Sequence, residues 1–480
     1  MFVIWGEKML FSSVTFLYFF LPAVLFCYFV LFRKSRMLQN IFLFFASLFF
    51  YAWGEPKFVF VMCASILFNW LLGLLISRNR QRTSLCRGLV VLDVACNIGL
   101  LFVFKYLTFT AAVINTLIPS TLQIPDIALP IGISFFTFQA MSYVIDVYRQ
   151  KGDVQTNLLY VGLYIAFFPQ LIAGPIVRYE TVADEIKNRT VTRDDFLDGF
   201  ARFIVGLSKK VLLSNCLGLL ADQAFTAVEN GMVISVLFGW LGAVAYAMQI
   251  FFDFSGYSDM AIGLGRMFGF HFLENFNYPY ISTSISEFWR RWHISLGTWF
   301  RDYLYFPLGG SRVSKGRNVF NLFVVWSLTG LWHGANYTFI LWGLMYFVLI
   351  SMEKLTGFDK RQGKNIMVFK WGYTMLFVLL GWVLFRSRSI TDAVIYIKSM
   401  FGLNANPFAD GMFYGWFTQN AVMLAIGMLL CTPLLKKLTK RAEHSAAMEY
   451  LKVAGLIVLF VLSVATLVGS AYNPFIYFNF

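Results

Sequence analysis

The feature that most constrains this chain is a series of long apolar runs, several of them close to the roughly 20 residues that a helix needs to cross a membrane. Hydrophobic residues make up 59% of the 480-residue sequence and charged residues only 13%, about half the charged share of soluble domains. Because no water satisfies the backbone inside lipid, such runs fold as helices. The clearest runs cover residues 10–32, 37–53, 58–76, 89–108, 232–252, 368–385, 422–435 and 453–471.

These runs predict an all-α polytopic membrane protein that forms one integral domain over residues 1–480. We expect about 11 transmembrane helices, together with shorter re-entrant and interfacial helices around an intramembrane funnel. The first apolar run is not expected to be a cleaved signal peptide, because its strongest positive cluster follows it rather than precedes it.

The net charge of +14 is concentrated in short loops between the apolar runs. Loops rich in Lys and Arg stay on the cytoplasmic side of a membrane, so this charge indicates membrane topology rather than nucleic-acid binding. The cluster Arg33-Lys34-Ser35-Arg36 follows the first run, which predicts a multi-pass membrane protein with its N-terminus outside. The six cysteines are scattered without a ligand spacing, so the sequence favours neither a zinc site nor a disulfide framework.

One apolar run, residues 319–350, has basic residues on both flanks. Both flanks should therefore lie in the cytoplasm. A single helix over this run would be roughly 48 Å long, too long for a hydrocarbon core of about 30 Å. We therefore expect two short spans or a re-entrant hairpin, with Gly330 and Gly334 as the points where the helix bends.

His333 lies in that otherwise apolar run, at its expected apex. An ionisable side chain inside a membrane segment indicates a functional site. Trp332 and the nearby glycines indicate a tightly packed site that favours the neutral imidazole, the form a general base needs. A structural hydrogen bond between helices is the alternative role for this histidine.

His293 lies in a second polar segment, where Ser284 and Glu287 have the spacing of a helix-capping box. A helix that begins there and continues to Tyr303 would place His293 at the edge of an aromatic face, beside arginines. Such a basic aromatic helix commonly lies in the membrane interface, so His293 is either an active-site residue or a packing residue.

Other polar residues are candidates for binding. Asp253 could orient a histidine, bind an arginine or cap a helix. Arg301, Arg312, Lys315 and Arg317 form a basic loop that could hold the anionic head group of a membrane lipid or of a phosphorylated cofactor.

Several segments together resemble the membrane-bound O-acyltransferase family, and within it the bacterial enzymes that O-acetylate exopolysaccharides such as alginate. They are PIGISFFTFQ at 130–139, FDFSGYS at 252–258, FNYPYIS at 276–282, EFWRRWHIS at 287–295, WFRDYLYFPLGG at 299–310, LTGLWHGAN at 328–336 and FIYFNF at 475–480. Residues 9–13 resemble the usual start of the family, so residues 1–8 are expected to be an N-terminal extension.

The resemblance implies a transferase with His333 as the catalytic histidine and His293 as a second active-site histidine. It implies no bound cofactor, an acetyl-CoA-like thioester as the cytoplasmic donor, an extracytoplasmic polysaccharide as the acceptor, and a separate esterase-like partner protein that completes transfer. The candidate substrate-binding residues are Trp289, Arg301, Asp302, Lys315, Arg317, Asn336 and Asp253.

Two alternatives remain open from the sequence. The first is transfer of D-alanine to teichoic acid from a carrier protein, because that related enzyme shares the Arg-Trp-His and Trp-His-Gly elements. The second is a transporter of a polymer or lipid, which would be expected to show two similar halves with paired broken helices. No such internal repeat is visible in the sequence.

Overall fold

The computed structural model describes residues 9–118, 122, 127–361, 363–440, 446–470 and 472–476. Over these residues the secondary structure consists of helices joined by turns and loops, with no strand, so the predicted all-α class is confirmed. The chain divides into two compact units, one of Met1–Leu207 with Tyr257–Leu273 and one of Ser208–Gly256 with Glu274–Phe480. The predicted extension at residues 1–8 lies outside the described residues.

The first unit is built from helices α1 to α8 and from parts of two long helices that continue into the second unit. The bounds are α1 (Phe16–Leu31), α2 (Arg36–Gly54), α3 (Phe58–Arg78), α4 (Thr83–Leu117), α5 (Ile133–Tyr148), α6 (Leu158–Ala166), α7 (Phe168–Leu171), α8 (Tyr179–Asn188), α9 (Arg193–Glu229) and α10 (Val236–Met267). Helix α5 packs against α3 and α4 and is buried over almost its whole length.

The second unit contains the rest of α9 and α10, followed by nine further helices. They are α11 (Ile285–Arg291), α12 (Ile294–Phe300), α13 (Lys315–His333), α14 (Tyr337–Thr356), α15 (Lys364–Arg386), α16 (Ile390–Met400), α17 (Gly411–Leu430), α18 (Leu434–Lys440) and α19 (Ala446–Gly469). Both candidate histidines lie in this unit.

Nine helices in the described part of the chain are long and apolar enough to cross a membrane: α2, α3, α4, α9, α10, α14, α15, α17 and α19. The multi-pass prediction is therefore confirmed, whereas the expected number of about 11 spans is not.

The 319–350 segment forms a helical hairpin, as predicted. Helix α13 ends at His333, a short link follows, and α14 begins at Tyr337. Aromatic contacts pair Phe323 with Phe347 and Trp326 with Trp342, so the two helices run antiparallel. The two basic flanks accordingly lie at the same end of the hairpin, and the link with Gly334 lies at the other.

Gly330 does not bend the chain, and that part of the prediction is wrong. It lies inside α13, where a β-carbon would approach the carbonyl oxygen of Phe339 to 2.5 Å. Gly343 on α14 faces it, and a β-carbon there would lie 2.5 Å from the carbonyl oxygen of Trp326. The glycine pair therefore lets the two helix backbones approach closely, which is how small residues stabilise helix pairs in membranes.

We predict that Gly330→Ala and Gly343→Ala each destabilise the hairpin, because the added methyl group meets backbone atoms that cannot move aside. A loss of about 1–3 kcal/mol is typical of overpacking, and thermal unfolding in detergent would measure it. Gly316→Ala, in the first turn of α13 with no atom near its added methyl group, is the matched control. It should be neutral or slightly stabilising, since alanine is the better helix former. Equal melting temperatures for all three variants would contradict the close packing.

Candidate active site

His293 lies at a break between two short helices, not on the continuous helix that the sequence pattern suggested. Helix α11 ends at Arg291, and His293 has φ 45° and ψ 54° before α12 begins at Ile294. This left-handed conformation is unusual for a residue other than glycine, and structures keep it only when other contacts enforce it. Asn275 supplies those contacts: its backbone oxygen accepts from the Ile294 N–H at 2.9 Å, and its side-chain Oδ1 accepts from the Ser295 N–H at 3.1 Å.

The start of α11 is held by two caps. Ser284 accepts a hydrogen bond from the Glu287 N–H at 3.0 Å, which confirms the predicted helix start. The second cap was not predicted. Buried Glu353 on α14 accepts from the N–H groups of Ile285 and Ser286 at 2.7 and 2.9 Å, and from the Ser286 hydroxyl at 2.8 Å. A carboxylate at a helix N-terminus stabilises that helix, so Glu353 fixes α11 to the hairpin.

The His293 side chain is 2% exposed. Its ring packs edge-on against Phe254, with the centroids 4.6 Å apart, and its Nδ1 lies 3.2 Å from Oδ1 of Asn275. Burial lowers the pKa of His293 to about 3, because an imidazolium loses its hydration in an apolar setting. His293 is therefore neutral at physiological pH.

His333 is the last residue of α13 and is also buried, at 4% exposed. Its ring lies 5.0 Å from the Trp342 ring and 5.1 Å from the Phe385 ring, measured between centroids. Gly334, which follows it, leaves room for the Phe339 ring, since a β-carbon there would approach that ring to 2.4 Å. The aromatic packing around His333 agrees with the predicted low-dielectric site.

Trp332 lies between the two histidines. Its ring centroid is 6.0 Å from that of His293 and 5.0 Å from that of His333. The two imidazoles are thus within about 11 Å of each other, although the residues lie 40 positions apart in the sequence. The fold therefore brings together the two histidines that the sequence singled out.

A cavity of about 430 Å³ opens beside His293. This volume lies in the range of small-molecule sites. Its buried wall includes aromatic residues and Thr329, which lies one turn before His333 on α13. Its basic lining residues are all exposed: Arg290, Arg301 and Lys354. The cavity therefore has a basic, open side and an aromatic, buried side at His293. A continuous passage from it to His333 stays a prediction.

Some of the predicted substrate-binding residues line the cavity and others do not. Trp289 and Arg301 line the cavity. Asp302 pairs with Arg301, its Oδ1 lying 2.8 Å from Nε. Lys315 and Arg317 lie in the exposed first turn of α13 and are not part of the cavity lining.

Asp253 and Asn336 have structural contacts that differ from those expected. Asp253 lies inside α10, so it is not a helix cap, and its Oδ1 pairs with buried Lys210 at 2.6 Å rather than with an arginine. Its Oδ2 accepts from the Ile476 N–H near the C-terminus at 3.0 Å. Asn336 caps α14 by accepting from the Thr338 N–H at 3.1 Å, and its amide donates to the Arg388 carbonyl at 2.9 Å.

Four residues of the site were not among the predicted site residues: Asn275, Ser295, Glu353 and Lys354. Glu353 carried a usable signal, because a carboxylate at the end of an apolar helix needs a buried partner. Asn275 directly precedes the quoted 276–282 motif, but its partners lie about 20 residues further along, and no helical or strand periodicity relates the two.

Within the described residues, no group of three or more His, Cys, Asp and Glu side chains is placed to hold a metal ion.

Comparison with known proteins indicates a family for this chain. The family model for membrane-bound O-acyltransferases matches residues 153–391, which include both histidines and the cavity. The chain is 38% identical to a probable alginate O-acetylase of Pseudomonas putida over 98% of this chain and 100% of that protein. It is 32% identical to a peptidoglycan O-acetyltransferase of Helicobacter pylori over 98% of each chain.

A more distant similarity links it to a teichoic acid D-alanyltransferase of Bacillus subtilis, at 32% identity over 46% of this chain and 58% of that protein. All of these relatives are named as acyl-transferring enzymes, and two of them align along essentially the whole chain. The predicted enzyme class is thus confirmed, and the chain belongs to the membrane-bound O-acyltransferase family.

Proposed function

We propose that this enzyme transfers an acetyl group from a cytoplasmic thioester to a polysaccharide outside the membrane. The observation that carries the proposal is the cavity, which is open at its basic residues and buried at His293, whose ring neighbour Trp332 also contacts His333. Anionic phosphates of an acetyl-CoA-like donor suit Arg290, Arg301 and Lys354, whereas the acyl end of the donor suits the aromatic wall.

The hairpin geometry supports a transfer between the two sides of the membrane. His333 lies 18 residues after Lys315 on α13, which corresponds to roughly 27 Å along the helix axis. The basic ends of α13 and α14 lie together at the opposite end from His333, and positive loops favour the cytoplasm. A donor that enters beside Lys354 would therefore meet, near His333, an acceptor that arrives from the other side.

The reaction needs one base that also serves as an acid. A hydroxyl oxygen of the acceptor attacks the carbonyl carbon of the thioester, a C–O bond forms and the C–S bond breaks. The hydroxyl proton passes to the neutral imidazole of His333 and then to the departing sulfur, which leaves as a thiol. The aromatic rings packed around His333 favour this role, because they exclude competing water.

Acetyl is favoured over D-alanyl as the transferred group by the extent of the similarity. The two relatives that align over 98% of this chain are named as O-acetyl-transferring enzymes, whereas the D-alanyltransferase aligns over 46%. The esterase-like partner outside the membrane, which the family resemblance implies, remains part of the proposal.

We predict that His333→Ala lowers acetyl transfer by about 10²- to 10⁴-fold, the usual contribution of a general base. His293→Ala should also reduce transfer, and both proteins should remain folded in the membrane. Consumption of a thioester donor by purified protein would measure the effect. The control is His271→Ala, since His271 is exposed and pairs with Glu185 in the other unit. Near-normal turnover in His333→Ala would refute the assignment.

We predict that charge reversal at the cavity opening weakens donor binding. Arg301→Glu and Lys354→Glu should raise the KM for the donor roughly tenfold, as expected for one lost charge-assisted hydrogen bond of about 1.5 kcal/mol. The value of kcat should change less. Arg317→Glu is the matched control, because it changes the charge of the same basic end without touching the cavity. Equal KM changes in all three variants would indicate a general effect of surface charge and contradict a donor site in the cavity.

A further inference from the structure

One oxygen atom in the active site receives hydrogen bonds from several donors. Oδ1 of Asn275 lies 3.1 Å from the backbone nitrogen of Ser295, 2.9 Å from the Ser295 hydroxyl and 3.2 Å from Nδ1 of His293. Asn275 is 1% exposed and is not among the cavity-lining residues. It therefore acts on His293 from behind, away from the cavity.

The backbone contact fixes the orientation of the Asn275 amide. A backbone N–H only donates, so the atom that faces the Ser295 nitrogen must be the amide oxygen and not the NH₂ group. The same oxygen faces Nδ1 of His293. If Nδ1 carried no proton, two acceptors would face each other in a buried site, which is unfavourable.

We infer that Asn275 is a positioning residue that holds His293 as the tautomer with a proton on Nδ1, so that Nε2 accepts a proton or hydrogen bond from a substrate. In a neutral histidine, the hydrogen bond made by one ring nitrogen sets which nitrogen is protonated. The Ser295 hydroxyl, which also lies 3.4 Å from Nδ1, donates to the amide oxygen and leaves the tautomer unchanged. This inference rests on the proposed function only where it assigns a role in transfer to His293.

The left-handed backbone conformation of His293 also depends on Asn275. The left-handed turn and the tautomer both depend on the Asn275 segment, which accepts from Ile294 through its backbone and from Ser295 through its side chain. Asn275 therefore fixes the direction of the ring as well as its proton, as partners of catalytic and metal-binding histidines do in other sites.

The tautomer can be tested without any activity measurement. The sequence has only four histidines, so ¹⁵N-histidine labelling in lipid nanodiscs gives a spectrum in which His293→Gln identifies the His293 signals. We expect the nitrogen shifts of an Nδ1–H tautomer in the unaltered protein and loss of that pattern in Asn275→Leu. An Nε2–H tautomer in the unaltered protein would overturn the inference, whether or not the enzyme transfers acetyl groups.

The role in transfer is tested by two substitutions at Asn275. Asn275→Leu should lower kcat about 10- to 100-fold, the usual effect of removing a partner of this kind, with little change in donor KM. Asn275→Asp keeps the acceptor but adds a negative charge that stabilises the imidazolium. Its kcat should recover at high pH, with the acidic limb of the pH profile moved to higher pH. The nearby groups are Phe254, Trp332 and Ser295, and the charged residues of the cavity are Arg290, Arg301 and Lys354.

Asn321→Leu is the control for loss of a buried asparagine. Its amide donates to Leu308 and Gly310 at the basic end of α13, so its loss should lower protein yield but leave the His293 signals and the pH profile unchanged. Identical kcat and pH profiles for Asn275→Leu and Asn275→Asp would refute the positioning role. If the unaltered protein turned over no thioester donor at all, the proposed function would be refuted, and the tautomer result would still stand.

Discussion

The positions of the two candidate histidines depend on one constraint. Where a helix breaks inside an apolar bundle, the protein itself must supply hydrogen-bond partners for the backbone groups at the break. His293 and His333 each lie at such a break. Asn275 satisfies the first break through the N–H groups of Ile294 and Ser295, and Asn336 satisfies the second by capping α14. Both histidines therefore lie at helix ends and not in the middle of a helix.

The same arrangement separates two electrostatic environments. The basic residues at the cavity opening are exposed, so they suit anionic groups of a donor. Deeper in the unit, tryptophan and phenylalanine rings surround the imidazoles, and the cost of burying a charge keeps His293 neutral. Glu353 links these regions, since it fixes α11, which carries Trp289 and Arg290, to the α13–α14 hairpin.

Much of the fold could be predicted from local patterns. Hydrophobic run length predicted a polytopic helical protein, and the basic flanks of 319–350 predicted the hairpin because charge and helix length excluded a single span. The capping residues Ser284 and Glu287 located the start of α11. The continuous helix through His293 was wrong, because local periodicity favours it and only the distant Asn275 enforces the break. The ion pair of Asp253 was not predicted for a similar reason, since its partner Lys210 lies on another helix.

The central claim is that the cavity beside His293 holds the acyl end of a thioester donor within reach of His333. A cryo-electron microscopy structure with a non-hydrolysable thioether analogue of acetyl-CoA would test it most directly. The account predicts density for the pantetheine arm along Trp289 and His293, phosphates beside Arg290, Arg301 and Lys354, and the acyl end directed toward Trp332 and His333. An analogue bound outside this cavity, or with its acyl end at the basic opening, would contradict the account.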